Sequence, residues 1–358
     1  MKKMLVFVAI VSLMAGSLFA EEEILIDFSK LAADIHVSLG DDDTGTEPNQ
    51  NRHTMMDFAN VRFVGSFTED QKKVMKTSLA IANWEVLLAS SARTVTNMVL
   101  SHTKEADSKQ FGTVMGVRVR FPVEAYHSWA VIKPPYEIPA YEPPVNVGDD
   151  GTIDQPTDEE ARSGVTGRDA NGERVKSRFE DGFGVVKNVG TIKSLAVNVY
   201  GLNFPHGLNI LTIDELGNQR SMFMGYLAFD GWGELRWDNP QYIQEVRNRD
   251  LRIIPLYPDA APFIKFAGFE IKRDGSRQGG DFITYFKDVK VIFDKAVFDS
   301  DRDIEDEALW GIIYDREHAR KVWQMERFGQ NQILRYIDSQ KQAVESSFTP
   351  TPKSTDDQ

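Results

Sequence analysis

The sequence predicts a mainly β protein, an antiparallel β-sandwich with long loops and a C-terminal helical segment. Two observations carry this prediction. Apolar and polar residues alternate in many short segments before Ser300, whereas apolar residues recur every three or four positions after it. A parallel sheet with crossover helices would instead contain nearly continuous apolar strands.

Three segments show the alternation most clearly, and each has one apolar face. The apolar sets are Met115, Val117, Val119 and Phe121; Leu195, Val197 and Val199; and Val289, Val291 and Phe293. Turn-forming residues such as Gly112 and Asp274 with Gly275 lie between the segments. Strands of this kind turn one face to a core and the other to solvent, which is typical of a sandwich.

The chain divides into four regions by composition. Residues 1–20 form an N-terminal leader, and 21–300 form the sandwich domain. Residues 301–346 are helical, with Ser300 and Asp303 as a candidate capping box, and 347–358 form a disordered tail.

A long loop at 133–178 interrupts the sandwich domain. It begins with the proline-rich run KPPYEIPAYEPP and continues through an Asp, Gly and Glu-rich stretch. Because so long a loop is uncommon in a compact domain, we expect it to be disordered or to bind a partner.

The leader MKKMLVFVAIVSLMAGSLFA has the three parts of a secretory signal peptide: a basic end, a short apolar run and small residues before the cleavage point. The apolar run is too short to span a bilayer, so we expect cleavage between Ala20 and Glu21. The alternative is a membrane anchor, and three glutamates directly after the run argue against it.

Composition narrows the classes of partner. The 358 residues carry a net charge of −13, and removal of Lys2 and Lys3 with the leader makes it −15. Nucleic acid and anionic lipid are poor partners for such a protein, because both need a basic surface. The chain has no cysteine, which excludes disulfides and thiol catalysis.

Motifs of catalysis, cofactor binding and metal binding are missing from the sequence. There is no G-x-S-x-G, H-E-x-x-H or Walker sequence, and the six histidines are scattered singly. The acidic run at 299–307 fails the calcium-loop pattern, since Ile304 replaces the turn glycine, and we interpret it as an acidic helix start. The segment GSRQGGD at 275–281 is interpreted as a hairpin turn rather than a phosphate cradle. We therefore expect no catalytic residue, cofactor or metal.

The stretch GYLAFDGWGELRWDNP at 225–240 is unusually aromatic. Its tryptophans either stack on sugar rings or fill the space between two sheets, with the glycines permitting bends or bulges. Trp232 and Trp237 are five residues apart, so a regular strand would place them on opposite faces. A third interpretation uses two of the carboxylates of Asp230, Glu234 and Asp238 for glycoside hydrolysis.

Several segments together resemble the flagellar filament outer layer proteins of spirochaetes, the FlaA family. They are the leader ending SLFA-EEE, NWEVLLASSARTVTNMVLS at 83–101, FGTVMGVRVRFPVEAYHSWAVIKPPYEIPAY at 111–141, VKNVGTIKSLAVNVYGLNFPHGLNILTIDELG at 186–217, the aromatic stretch, and GGDFITYFKDVKVIFDKAVFD at 279–299. The specificity lies in their order and combination. The region from 207 to 237 also resembles the jelly-roll sandwich of carbohydrate-binding modules.

The resemblance implies an exported, non-enzymatic sheath protein in the periplasm. It implies a role around a core of flagellin subunits, self-association, and an influence on filament stiffness, shape and motility. The candidate interface residues are Trp232, Trp237, Trp310 and Trp323, together with the C-terminal helix and the proline-rich loop at 134–144. Two alternatives remain: the helix packs on the sandwich instead, or the protein is a periplasmic carbohydrate-binding module.

Overall fold

The computed structural model describes residues 20–35, 49–57, 76–149, 151–154, 157, 160–162, 176–251, 261–277, 279–296, 304 and 306–348. The leader before Ala20, the candidate capping box at Ser300 and Asp303, and the tail after Phe348 lie outside these residues. None of the helices in the described ranges is long and apolar enough to cross a membrane.

Strands dominate the described part of the chain. They are β1 Glu21–Asp27, β2 Glu85–Leu88, β3 His102–Ser108, β4 Gly112–Phe121, β5 Ser128–Lys133, β6 Val185–Lys187, β7 Val189–Leu202, β8 Gly207–Asp214, β9 Gln219–Tyr226, β10 Asp230–Asp238, β11 Phe263–Arg273 and β12 Gly280–Lys295. The α-helices are α1 Val95–Leu100, α2 Tyr242–Leu251, α3 Asp306–Trp310 and α4 Ile312–Phe348.

The strands form two antiparallel sheets. In the first sheet the order is β10-β7-β12-β4-β3. β4 pairs with the first half of β12, and β1 pairs with its second half. In the second sheet the order is β2-β5-β11-β8-β9, with β6 beside β11. The predicted sandwich is confirmed.

The core lies between the two sheets and is built by the alternation read from the sequence. All ten predicted core residues on β4, β7 and β12 are at most 1% exposed: Met115, Val117, Val119, Phe121, Leu195, Val197, Val199, Val289, Val291 and Phe293. Rings from both sheets meet in it: Phe269 of β11 stacks on Phe286 of β12, with centroids 4.0 Å apart. On the opposite face of β4, Arg118 and Arg120 share the carboxylate of Asp281.

Two segments discussed above connect strands of different sheets and therefore do not close hairpins. The segment at 275–281 connects β11 of the second sheet with β12 of the first, so its interpretation as a hairpin turn is wrong. The aromatic stretch likewise leads from β9, at one edge of the second sheet, to β10, at an edge of the first. Gly201 is required at this crossing, because a Cβ there would lie 2.4 Å from the carbonyl oxygen of Phe229.

The proline-rich start of the predicted long loop is packed rather than open. Tyr136, Ile138 and Ala140 are at most 6% exposed, and Tyr136 donates a hydrogen bond to the carbonyl of Thr54. The expectation of disorder is therefore wrong for this run, since every second residue from Pro134 to Ala140 is apolar and inserts into the core.

The C-terminal helical region has two parts with a break at Gly311, which has a φ of +62°. The Glu307 carboxylate accepts hydrogen bonds from the backbone N–H groups of Ile313 and Tyr314, at 3.0 and 2.7 Å. This acidic group thereby caps the free N–H groups that begin α4.

One face of α4 packs on the sandwich. Met325 and Phe328 are buried, and Phe328 meets Tyr136 edge to face at 6.5 Å. Lys321 pairs with the buried carboxylate of Glu142 at 2.6 Å, and the same carboxylate lies 3.8 Å from Arg178. The helix and the proline-rich segment therefore lock each other against the core.

Candidate functional site

The two tryptophans of the aromatic stretch lie on opposite faces of β10. Pairing of β10 with β7 runs without a register shift and places Trp237 opposite the buried Leu195. Trp237 is partly buried and packs against the core, together with Phe229. A bulge does occur nearby, between β8 and β9 at Gly225, but it leaves β10 regular.

Trp232 stands on the outer face of the first sheet in an aromatic row. The register aligns Trp232, Tyr200 and Tyr285 across β10, β7 and β12. The Trp232 ring meets Tyr200 at 5.4 Å and Phe111 at 4.9 Å, both nearly perpendicular, and Tyr200 meets Tyr285 in the same way. Because the rings contact one another edge to face, they are a packed row rather than a flat stacking platform.

Trp310 and Trp323 are exposed on the C-terminal helices, at 66% and 58%. Ile312, Trp323 and Leu334 recur every eleven residues along α4, which is close to three helical turns, so they form one stripe. Arg327 lies over the Trp323 ring at 5.8 Å. We call this set the α4 stripe; it faces away from the buried Met325 and Phe328.

The outer face of the second sheet carries a further group that the sequence reasoning did not single out. Trp129 of β5 and Phe223 and Tyr226 of β9 are 43%, 47% and 63% exposed. Period-two parity within SWAVIK could have identified Trp129, because Ala130 and Ile132 face the core. Phe223 could have been found in the same way, between the buried Met222 and Met224.

The carboxylates considered for glycoside hydrolysis lie along a single strand. Asp230, Glu234 and Asp238 occupy every fourth position of β10, on one face of the strand, and are exposed, and Asp238 pairs with Arg236 at 2.8 Å. Glycosidases need two carboxyl groups facing each other across the sugar. These three do not flank a cleft.

The described residues contain no group of three or more His, Asp or Glu side chains that could hold a metal ion. A cleft of about 190 Å³ lies beside α4 and is lined by Gln50, Lys76, Thr77, Asn83, Glu85, Pro135, Phe328 and Gln332. Its lining is largely polar, and it adjoins the docked face of the helix.

Comparison with known proteins gives consistent matches along the chain. The family model described as "Flagellar filament outer layer protein Flaa" matches residues 47–302. A flagellar filament outer layer protein of Treponema pallidum (strain Nichols) is 47% identical over 98% of this chain and 97% of its own length. That of Spirochaeta aurantia is 44% identical, over 92% of this chain and 90% of its own length.

Solved structures are matched more distantly. A family 61 carbohydrate-binding module in complex with β-1,4-galactotriose is 9% identical, with a TM-score of 0.24, over 59% of this chain and 88% of the module. The family 11 carbohydrate-binding module of a Clostridium thermocellum cellulase is 10% identical, with the same TM-score, over 67% and 94%. At these scores the likeness carries no functional argument, and the sandwich is established by the strand pairing.

Proposed function

This chain belongs to the FlaA family of flagellar filament outer layer proteins, and we propose that it is a non-enzymatic subunit of the sheath around a periplasmic flagellar filament. Nearly full-length similarity to two proteins of that name carries the proposal. In this role it surrounds a core of flagellin subunits and adds to the stiffness of the filament, and so affects its helical shape and cell motility.

Export by a cleavable signal peptide fits the position of the first strand. β1 begins at Glu21, directly after the expected cleavage point at Ala20, and pairs with β12 inside the first sheet. Cleavage there leaves a mature chain whose first residues are already part of the sandwich. The mature protein then resides in the periplasm.

A sheath needs contacts that repeat without closing, which one subunit provides through two complementary patches. The α4 stripe is our candidate for one of them. The opposite face of the same helix packs on the sandwich, so the exposed apolar residues of the stripe are held in place before assembly. Trp310, on the preceding helix α3, is also exposed and is a further candidate for this contact. The partner is either flagellin or a second copy of this chain.

The primary test is isolation of periplasmic filaments from the native spirochaete, followed by mass spectrometry of their proteins and of the N-terminus of this one. We expect the protein in the filament fraction, with Glu21 as its first residue. Absence from intact filaments would refute the sheath role, whereas a different first residue would revise only the cleavage point.

The surface assignment is tested separately with Trp323→Ala, against Trp237→Phe as a control in β10, where the side chain packs against the core. We expect Trp323→Ala to reduce incorporation into filaments and to change filament curvature in electron micrographs, with normal folding. Full incorporation of the Trp323→Ala protein would remove the α4 stripe from the sheath contacts.

The second candidate function is a periplasmic carbohydrate-binding module, and one observation favours it. Trp129, Phe223 and Tyr226 expose 43%, 47% and 63% of their surface on the outer face of the second sheet, where Phe223 meets Tyr226 edge to face at 5.3 Å.

A further inference from the structure

One end of the outer face of the second sheet has exposed aromatic rings at both sides, with polar side chains between them. The register aligns Trp129, Lys272, Gly207 and Tyr226 across β5, β11, β8 and β9. Trp129 and Tyr226 are therefore three strand spacings apart, or roughly 14 Å. We call this row and its neighbours the β5–β9 trough.

Gly207 is buried beneath the Phe223 ring. A Cβ at this position would lie 3.2 Å from Cε2 of Phe223, 3.8 Å from Cε1 of Tyr226 and 3.9 Å from Cβ of Lys272. The absence of a side chain at Gly207 therefore lets Phe223 pack against the sheet and meet Tyr226 edge to face at 5.3 Å. The result is an aromatic pair at one end of the row, with the Trp129 indole at the opposite end.

Polar groups lie along the next row of the same face. Lys272 Nζ is 3.1 Å from the Glu270 carboxylate. Asn209, itself 5% exposed, donates from Nδ2 to Glu270 at 3.1 Å and to Ser221 at 2.8 Å. A buried amide therefore fixes the carboxylate beside the ammonium, and the pair together has no net charge.

From this arrangement we propose that the β5–β9 trough binds a neutral oligosaccharide. The apolar faces of sugar rings pack on exposed aromatic rings, and their hydroxyl groups donate to a carboxylate and accept from an ammonium group. Separated rings with polar groups between them suit a chain of sugars better than a protein surface, whose contact centre is apolar and depleted in charge.

Two other surfaces fit a sugar less well. On the first sheet, Trp232 is less exposed than Trp129 or Tyr226, and both Phe111 and Tyr200 cover its sides edge to face. On the α4 stripe, Trp323 is exposed but has Arg327 over its ring. The sugar hypothesis first attached to Trp232 and Trp237 therefore moves to the β5–β9 trough.

The proposal is independent of the sheath role, since a sheath subunit with or without a sugar site would co-purify with filaments. It is tested on the purified full-length mature protein. The probes are neutral tetrasaccharides of glucose, galactose, mannose, xylose and N-acetylglucosamine, screened by isothermal titration calorimetry. For the tetrasaccharide that binds, the indole ¹H–¹⁵N resonances of the six tryptophans are then followed by NMR.

We expect at least one tetrasaccharide to shift the Trp129 indole resonance and to leave that of Trp323 in place. Trp129→Ala and Tyr226→Ala should each weaken binding about tenfold or more. Gly207→Val keeps every ring but displaces that of Phe223, which packs over the glycine, and should also weaken binding about tenfold or more. Trp323→Ala is the matched control and should bind as the unaltered protein does, and circular dichroism checks the fold of each variant.

Three outcomes would overturn the proposal. One is that no tetrasaccharide binds. Another is that binding survives in both Trp129→Ala and Gly207→Val. A third is that the trough variants fold normally, leave sugar binding unchanged and lose incorporation into filaments, which would make this face a contact with another protein chain.

Discussion

Acidification should destabilise this protein through one buried histidine. His206 precedes β8, is 3% exposed, and stacks on Phe282 with centroids 5.0 Å apart. Phe121 and Phe204 surround the ring at 5.1 and 5.9 Å. Its Nδ1 has no hydrogen-bond partner within the described part of the chain. Burial, with a smaller contribution from the charge of Arg273, lowers the pKa of His206 from 6.5 to about 4.

The direction and size of the pH effect on stability follow from this lowered pKa. Between pH 6.5 and 4 the unfolded chain binds a proton at His206 that the folded protein does not, so the free energy of unfolding falls as the pH falls. One pKa unit corresponds to about 1.4 kcal/mol. The full loss below pH 4 is therefore about 3 kcal/mol, of which about 2 kcal/mol is lost between pH 7 and pH 5.

The assay is urea unfolding at pH 7, 6 and 5, followed by circular dichroism, for the unaltered protein and for His206→Leu. Leucine keeps the site apolar and has no proton to bind, while the other titrating groups, including His53, are common to both proteins. The free energy of unfolding of the unaltered protein minus that of His206→Leu should be about 2 kcal/mol lower at pH 5 than at pH 7. Parallel pH profiles for the two proteins would refute the reasoning.

Three further predictions concern packing. Phe328→Ala should destabilise the protein by about 3 kcal/mol, because the ring is buried between α4 and the sandwich. Trp323→Ala, at an exposed position of the same helix, should change stability by less than about 0.5 kcal/mol. Similar melting temperatures for the two variants would contradict the docking of the helix. Gly201→Ala should cost about 1–3 kcal/mol in urea unfolding, because its Cβ would meet the carbonyl of Phe229, and a neutral result would mean that the crossing relaxes freely. Arg273→Met should lower the free energy of unfolding by about 2–3 kcal/mol, since the buried guanidinium donates to the carbonyls of Pro122, Glu124 and Arg277. The same substitution removes a positive charge and should raise the pKa of His206 in an NMR titration. An unchanged pKa would disprove that coupling.

Much of the fold could be predicted because its signal is local. The alternation at 115–121 gives the buried face of β4 directly, since a strand turns successive side chains to opposite sides. The five-residue spacing of Trp232 and Trp237 likewise predicts opposite faces, and a strand without bulges keeps it. The helical spacing of apolar residues after Ser300 predicts α4 in the same way, because it is also a local pattern.

Other features depend on contacts between distant parts of the chain. The proline-rich run looks like a loop because proline and glutamate dominate its composition, but Tyr136 is buried by Phe328 and Phe179, far along the sequence. Glu142 is likewise buried with Arg178 and Lys321. The β5–β9 trough combines residues from four strands, so no short motif marks it.

The place of β1 has a consequence for the order in which the protein folds. β1 lies against β12, and Glu22 pairs with Lys290 across 268 positions of sequence. Backbone hydrogen bonds of β1 with Gly182 and Gly184 can form earlier, but its ladder with β12 waits for that late strand. Contacts so far apart in sequence slow folding, and one edge of the incomplete sheet is unpaired meanwhile. The first sheet is completed only when almost the whole chain has been synthesised, which ties formation of the sandwich to the completion of the chain.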